Sequence, residues 1–267
     1  MSTPAKAPVL LVHGLWLHAS SWQPWIVHLA RSGYAATAPG WPNEPATVQE
    51  ARANPSAVAG YGIDAVVEHY ASIIATMPAK PIVIGHSFGG LVAQRLLGQD
   101  LAAAAVGLDA APIKGVLSLP VSSLRVASIA LRDPRNRGRA VSLTREQFRY
   151  GFGNAVSQAE SDQLFDEWAA PSPGRPLFEA AFSAFSPKSP TTIATRNSGR
   201  GPLLLTAGGR DHTVPASISH ATKKLYRHSP AVTDIIDFPG RGHSLGIDSG
   251  WTEVADAVTG WLAKQGR

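Results

Sequence analysis

The chain has 267 residues, of which 44% are hydrophobic and 16% charged, with a formal net charge of +5; this excludes a disordered chain and suits one α/β domain with an insertion better than two full domains. It contains no cysteine, which excludes disulfides, thiolate metal sites and a cysteine nucleophile, and suits a cytoplasmic protein. The arginine surplus comes with no nucleic-acid-reading element, so it reads as a solvated basic surface and no nucleic-acid partner is expected.

Residues 1–8 hold no long apolar stretch of the signal-peptide kind. The longest apolar run, Leu101 to Leu108, is too short for a membrane span. Pro8 to His13 is an unbroken apolar run and predicts a strand buried on both faces. A loop from Gly14 to Ser21, rich in Trp and His, leads to a helix over Ser21–Ser32, where Trp22, Trp25, Ile26 and Leu29 recur at helical spacing and Gly33 stops it. Tyr34 to Ala38 predicts a second strand. Gly40 to Gly60, with Pro42, Pro45 and Pro55, predicts a loop with at most one helical turn. A helix over Ile63–Met77, a strand over Pro81–Gly85, a helix over Ser87–Gly98 and a strand over Ala102–Leu108 follow.

There the alternation stops. It resumes after Gly199 with a strand over Pro202–Thr206, a helix over Pro215–Arg227, a strand over Thr233–Phe238 and a helix over Trp251–Lys264. Strands alternating with helices imply an α/β fold with a mostly parallel, doubly wound sheet. Residues 1–112 and 200–267 are expected to form the core, and 113–199 a helical cap over one end of the sheet.

Gly85-His86-Ser87-Phe88-Gly89-Gly90 matches G-x-S-x-G between a strand and a helix. Such a turn lifts a serine clear of the sheet with its hydroxyl exposed, and the small neighbours relieve the crowding. A serine hydroxyl needs a base. His243, in Gly240-Arg-Gly-His-Ser-Leu just after a strand, is the candidate; His86 should point away from Ser87, and His212 is weaker. Asp211, in the loop after Pro202–Thr206, is the carboxylate expected to orient His243, with Asp109 as rival and Asp248 too close to His243 in sequence. The order Ser87, Asp211, His243 is the one expected of this architecture. For the oxyanion, the amides of Phe88 and Leu15 are the expected donors, with Trp16 the second choice to Leu15. Trp16, His18 and Trp22 are candidates for lining the substrate pocket, and His13 for organising its loop. No metal or cofactor is expected.

These motifs, with Gly209-Arg210-Asp211-His212-Thr213-Val214-Pro215, resemble the α/β-hydrolase superfamily. The resemblance spans nearly the whole chain outside the insertion. Because the chain starts almost directly on the strand leading to His13-Gly14, it is most similar to the compact esterase and hydroxynitrile-lyase branch. The resemblance implies a helical cap and an acyl-enzyme mechanism, with Ser87 where relatives that break carbon–halogen bonds or epoxides carry aspartate. The expected activity is hydrolysis of a small-molecule carboxylic ester. Acyl transfer, cofactor-free perhydrolysis or thioester hydrolysis is the alternative, and a slow-turnover ligand-binding protein, or a homodimer of the enzyme, is compatible with the same sequence. The cap region holds eight basic residues from Lys114 to Arg149 against Asp133 and Glu146, and an apolar stock that includes Leu117, Leu119, Val126, Phe148 and Phe152. The arginines could steer an anionic substrate; the apolar residues could shape an acyl pocket.

Overall fold

The computed structural model describes residues 6–118 and 120–267; the expectations for residues 1–5 and for Leu119 lie outside them. The first half of the chain alternates as β1 (Val9–Val12), α1 (Gln23–Arg31), β2 (Ala36–Thr37), α2 (Val48–Ala53), α3 (Ile63–Ala75), β3 (Ile82–His86), α4 (Phe88–Gly98) and β4 (Ala104–Leu108). A helical block follows, with α5 (Val121–Leu131), β5 (Ala140–Val141), α6 (Arg145–Gly151), α7 (Gln158–Trp168), β6 (Ser172–Pro173) and α8 (Arg175–Ala181). The alternation returns with β7 (Leu203–Gly208), α9 (Ala216–Leu225), β8 (Thr233–Phe238) and α10 (Trp251–Lys264).

Six strands form one parallel sheet in the order β2-β1-β3-β4-β7-β8. The unbroken apolar runs have a direct cause: alternate side chains bury on opposite faces. Leu10, Val12, Val83 and Leu205 join the core beneath α3 and α4, whereas Val9, Leu11, Ile84 and Leu204 join the core beneath α1 and α10. Among the described residues no helix is long and apolar enough to cross a membrane.

Two local expectations change. The loop expected from Gly40 to Gly60 contains α2, because Thr47 caps it by accepting the Glu50 N–H, while Val48 and Ala51 turn inward. The strand expected over Tyr34–Ala38 pairs only at Ala36 and Thr37, on the sheet edge. The helical block is stitched to the loop after β1: Leu17 bridges Ala169, His18 N–H donates to Trp168 O, and Ala170 N–H donates to Trp16 O. That stitching places the block over the C-terminal ends of the strands, beside the loops that follow β1 and β3.

Candidate active site

Ser87 sits between β3 and α4 with φ 53° and ψ −119°, a left-handed conformation that costs a non-glycine residue free energy. Packing holds it there. A side chain on Gly85 would strike the Gly89 carbonyl, and one on Gly89 would strike the Val12 carbonyl. Gly14 brings the loop after β1 against the serine: a Cβ at this position would lie 2.7 Å from Ser87 Cβ.

Asp211 and His243 come together. His243 Nδ1–H donates to Asp211 Oδ2 at 2.6 Å, and both side chains are fully buried. Asp211 Oδ1 accepts the Thr213 and Val214 N–H groups at 2.6 and 2.8 Å, fixing the carboxylate in its turn. His243 Nε2 is buried and makes no hydrogen bond. The ring of His243 packs against His86, 4.5 Å between centroids, and against Phe152 at 4.8 Å. Phe152 and Ser87 line one cavity of about 140 Å³. Burial pushes the His243 imidazole down to about 4 and the Asp211 carboxyl up to about 7, since each charged form loses water.

The amides of Leu15 and Phe88 take part in none of the loop and turn hydrogen bonds among the described residues. Trp16 N–H, the second choice, is occupied: it donates to Ser172 Oγ at 2.6 Å, and the indole Nε1 donates to Val141 O at 3.1 Å. These bonds hold Trp16 in its left-handed conformation, φ 64°.

The cavity at Ser87 is bounded by Leu15, Trp16 and Phe88 on the sheet side and by Val126, Leu131, Phe152, Leu177 and Ala180 of the helical block. Among the described residues no charged side chain lines it. Of the three side chains expected there, Trp16 is present and two are elsewhere. His18 bonds to Ser20 Oγ and Pro45 O, because its polar ring finds partners in the neighbouring loop. Trp22 stacks edge-on against Trp25 in the core beneath α1, because its place on the helical repeat faces the sheet. His13 organises its loop as expected: Nδ1 contacts Gly14 O at 2.9 Å and Nε2 stands 3.2 Å from Glu44 Oε1. Burial alone would lower the His13 pKa, but the Glu44 charge together with hydrogen bonds to Glu44 and to the Gly14 and Leu17 backbone outweighs it, and the net direction is up.

His86 Nε2 donates to the His243 carbonyl at 2.9 Å, and His212 Nδ1 meets Tyr150 O at 3.0 Å, so both serve the scaffold. Asp248 braces the His243 loop by accepting from Ser244 Oγ at 2.7 Å and pairing with Arg241. The role of Phe152 as joint wall of the cavity and of His243 had no sequence signal beyond its aromatic character. Asp109, Asp211 and His243 offer ligand atoms all within 4.8 Å of one another. Their lone pairs already face Thr206 Oγ1, the amides of Gly208, Thr213 and Val214, and one another, so the cluster fits a hydrogen-bond network better than a cation site.

A sequence model of the alpha/beta hydrolase family matches residues 9–258. The chain matches none of the curated proteins by sequence. Among solved structures it is similar to a monoacylglycerol lipase from Paleococcus ferrophilus, with 22% identity and a TM-score of 0.68 over 99% of this chain and 96% of that one. It is similar to an extracellular alpha/beta-hydrolase from a Paenibacillus species, with 19% identity and a TM-score of 0.67 over 96% and 98% of the two chains. A methylesterase from Arabidopsis gives 16% identity and a TM-score of 0.64 over 97% and 99%.

Proposed function

This chain belongs to the alpha/beta hydrolase family, and from that premise we propose that it hydrolyses neutral, apolar carboxylic esters through an acyl-enzyme on Ser87. The observation that carries the reading is the buried 2.6 Å hydrogen bond from His243 to Asp211, in a molecule where Phe152 packs on the His243 ring and also walls the cavity of the strained Ser87. Asp211 fixes the proton on Nδ1 and leaves Nε2 with a lone pair, as a general base requires.

In the proposed reaction Ser87 Oγ attacks the ester carbonyl carbon while His243 Nε2 takes its proton; this hydrogen bond commonly closes only with substrate in place. The N–H groups of Leu15 and Phe88 hold the oxyanion, each donor lowering the barrier by roughly 3 kcal/mol. The N-terminal end of α4 adds a partial positive field. The imidazolium then protonates the leaving alkoxide and the acyl-enzyme remains; His243 next draws a proton from water as it attacks the acyl carbon, and returns that proton to Ser87 Oγ as the acyl–oxygen bond breaks and the carboxylic acid leaves. Residues 113–199 act as the cap that encloses the acyl group.

The cavity favours neutral substrates, because its walls are apolar and carry no charge. Arg125, Arg145 and Arg149 line a separate depression with Glu146 and Asp162, so these three guanidinium groups do not form the wall around Ser87. The test is a panel of p-nitrophenyl esters of graded acyl length. Turnover should be best with short acyl chains, given a cavity of about 140 Å³, and Ser87→Ala should lower kcat by about 10⁴-fold or more with an unchanged melting temperature. Undiminished turnover by pure Ser87→Ala protein, or a preference for negatively charged acyl groups, would contradict the reading.

A further inference from the structure

The mechanism above leaves one buried acid unused. Asp109 directly follows β4, fully buried, with φ 41°. Thr206 on the adjacent strand β7 latches it from two sides: the hydroxyl accepts from Asp109 N–H at 2.9 Å and donates to Asp109 Oδ1 at 2.8 Å. Gly208 N–H reaches the same carboxyl, at 3.1 Å from Oδ1 and 3.2 Å from Oδ2. Gly208 is required there, since a Cβ at that position would come within 2.5 Å of Asp109 Oδ2. The Asp109 and Asp211 carboxyls face each other, with an oxygen of each within 4.8 Å of the other. Two buried like charges this close oppose each other, which favours one of the two carboxyls keeping its proton.

We propose that Asp109 is a positioning residue for the Asp211–His243 pair, acting as a carboxylic acid that donates a hydrogen bond to the Asp211 carboxylate. The donor sets decide which oxygen carries the charge. Asp211 receives two backbone N–H groups and an imidazole N–H, all at 2.6–2.8 Å. Asp109 receives one hydroxyl and one amide shared between its oxygens. The richer set stabilises the anion at Asp211. Burial also pushes the Asp109 carboxyl well up, and the neighbouring Asp211 charge pushes it further in the same direction. The other groups around the pair keep that balance. His243 faces both carboxyls and burial keeps it neutral. His86 on β3 touches His243, and its pKa lies well down because it is buried. Arg241 turns its guanidinium away, to Asp248. Asp109 thus supplies a further donor that keeps the Asp211 carboxylate aimed at His243 Nδ1.

The inference rests on the Ser87–His243–Asp211 reading, and the experiment separates the two. kcat/KM for a neutral ester is measured from pH 5 to 9 for the wild type, Asp109→Asn and Asp109→Ala, with Ser87→Ala as the control that reports on the reading itself. Asn keeps the shape and the donor, so Asp109→Asn should stay within about tenfold of wild type with its acid limb in place. Asp109→Ala removes the donor, the Asp211 carboxylate becomes more basic, and the acid limb should move up by about half a pH unit or more. A loss beyond tenfold in Asp109→Asn would mean that Asp109 works as an anion, and an unmoved limb in folded Asp109→Ala would make it a bystander; either overturns the proposal. If Asp109→Ala does not fold by circular dichroism, Asp109→Asn alone decides. Loss of the Ser87 requirement would instead overturn the mechanism on which the inference stands.

Discussion

A buried imidazole is a poor cation and a buried carboxylate a poor anion, and His243 and Asp211 face both costs at once. Burial lowers the first to about 4 and raises the second to about 7. The pair therefore takes up its next proton as a unit, and the working form is the one with Nε2 bare and Asp211 charged. As the pH falls through the titration of the pair, kcat/KM should fall about tenfold per unit on the acid side. In Asp211→Asn the carboxylate no longer titrates, so the residual activity should be flat from pH 5 to 8; a limb that persists unchanged would assign it to another group. Ser87, Asp211 and His243 stood out as candidates in sequence because Ser87 follows an apolar run directly and the other two lie in glycine-bearing loops just past β7 and β8. Asp109 was visible only as a competitor for the acid's role, since a sequence cannot say which of two carboxyls at neighbouring strand ends receives the imidazole. Here the Asp211 turn delivers two backbone donors as well.

The loop after β1 depends on an element far from it in sequence. Glu44, in the segment between β2 and α2, pairs with His13 at 3.2 Å and accepts from Ala19 N–H, with the paired side chains 3% and 7% exposed. Burial alone would raise the Glu44 pKa, but His13 and His18 bring it down, while His13 is held above its ordinary 6.5 by Glu44 after burial is overcome. A raised histidine contributes stability that is complete below 6.5 and fades as the pH climbs through its folded value. A lowered carboxylate contributes stability that is complete above 4.5 and fades as the pH drops. The pair is thus at full strength between those two values. Glu44→Gln should cost about 3 kcal/mol at pH 5.5, as a broken buried pair does, and visibly less at pH 9, read from urea midpoints. A gap that widens with pH would contradict this account. No sequence signal marked Glu44, because its partner is 31 residues away and its segment lacks periodicity; the same lack of pattern hid α2, whose start depends on the single Thr47 cap.

Across the whole molecule, the parallel sheet gathers the site without any residue having to travel. β1, β3, β7 and β8 run in the same direction, so the loops bearing Leu15, Ser87, Asp211 and His243 all leave from one edge. Alternate burial on two faces made that sheet readable as a run of apolar strands. The helical block was readable as a helical insertion over one end of the sheet but not in its contacts, because Phe152 and Trp16 meet through tertiary contacts such as the Trp16–Ser172 bond rather than through any local pattern. The claim that the sheet edge presents one activated serine is tested most directly by covalent labelling. The native protein is treated with a fluorophosphonate, digested, and its modified peptide identified by mass spectrometry, alongside Ser87→Ala and His243→Ala. A single adduct on Ser87, absent from the first variant and slowed at least about a hundredfold in the second, is the expected result; an adduct on a different residue, or equal labelling of the His243→Ala protein, would contradict the account.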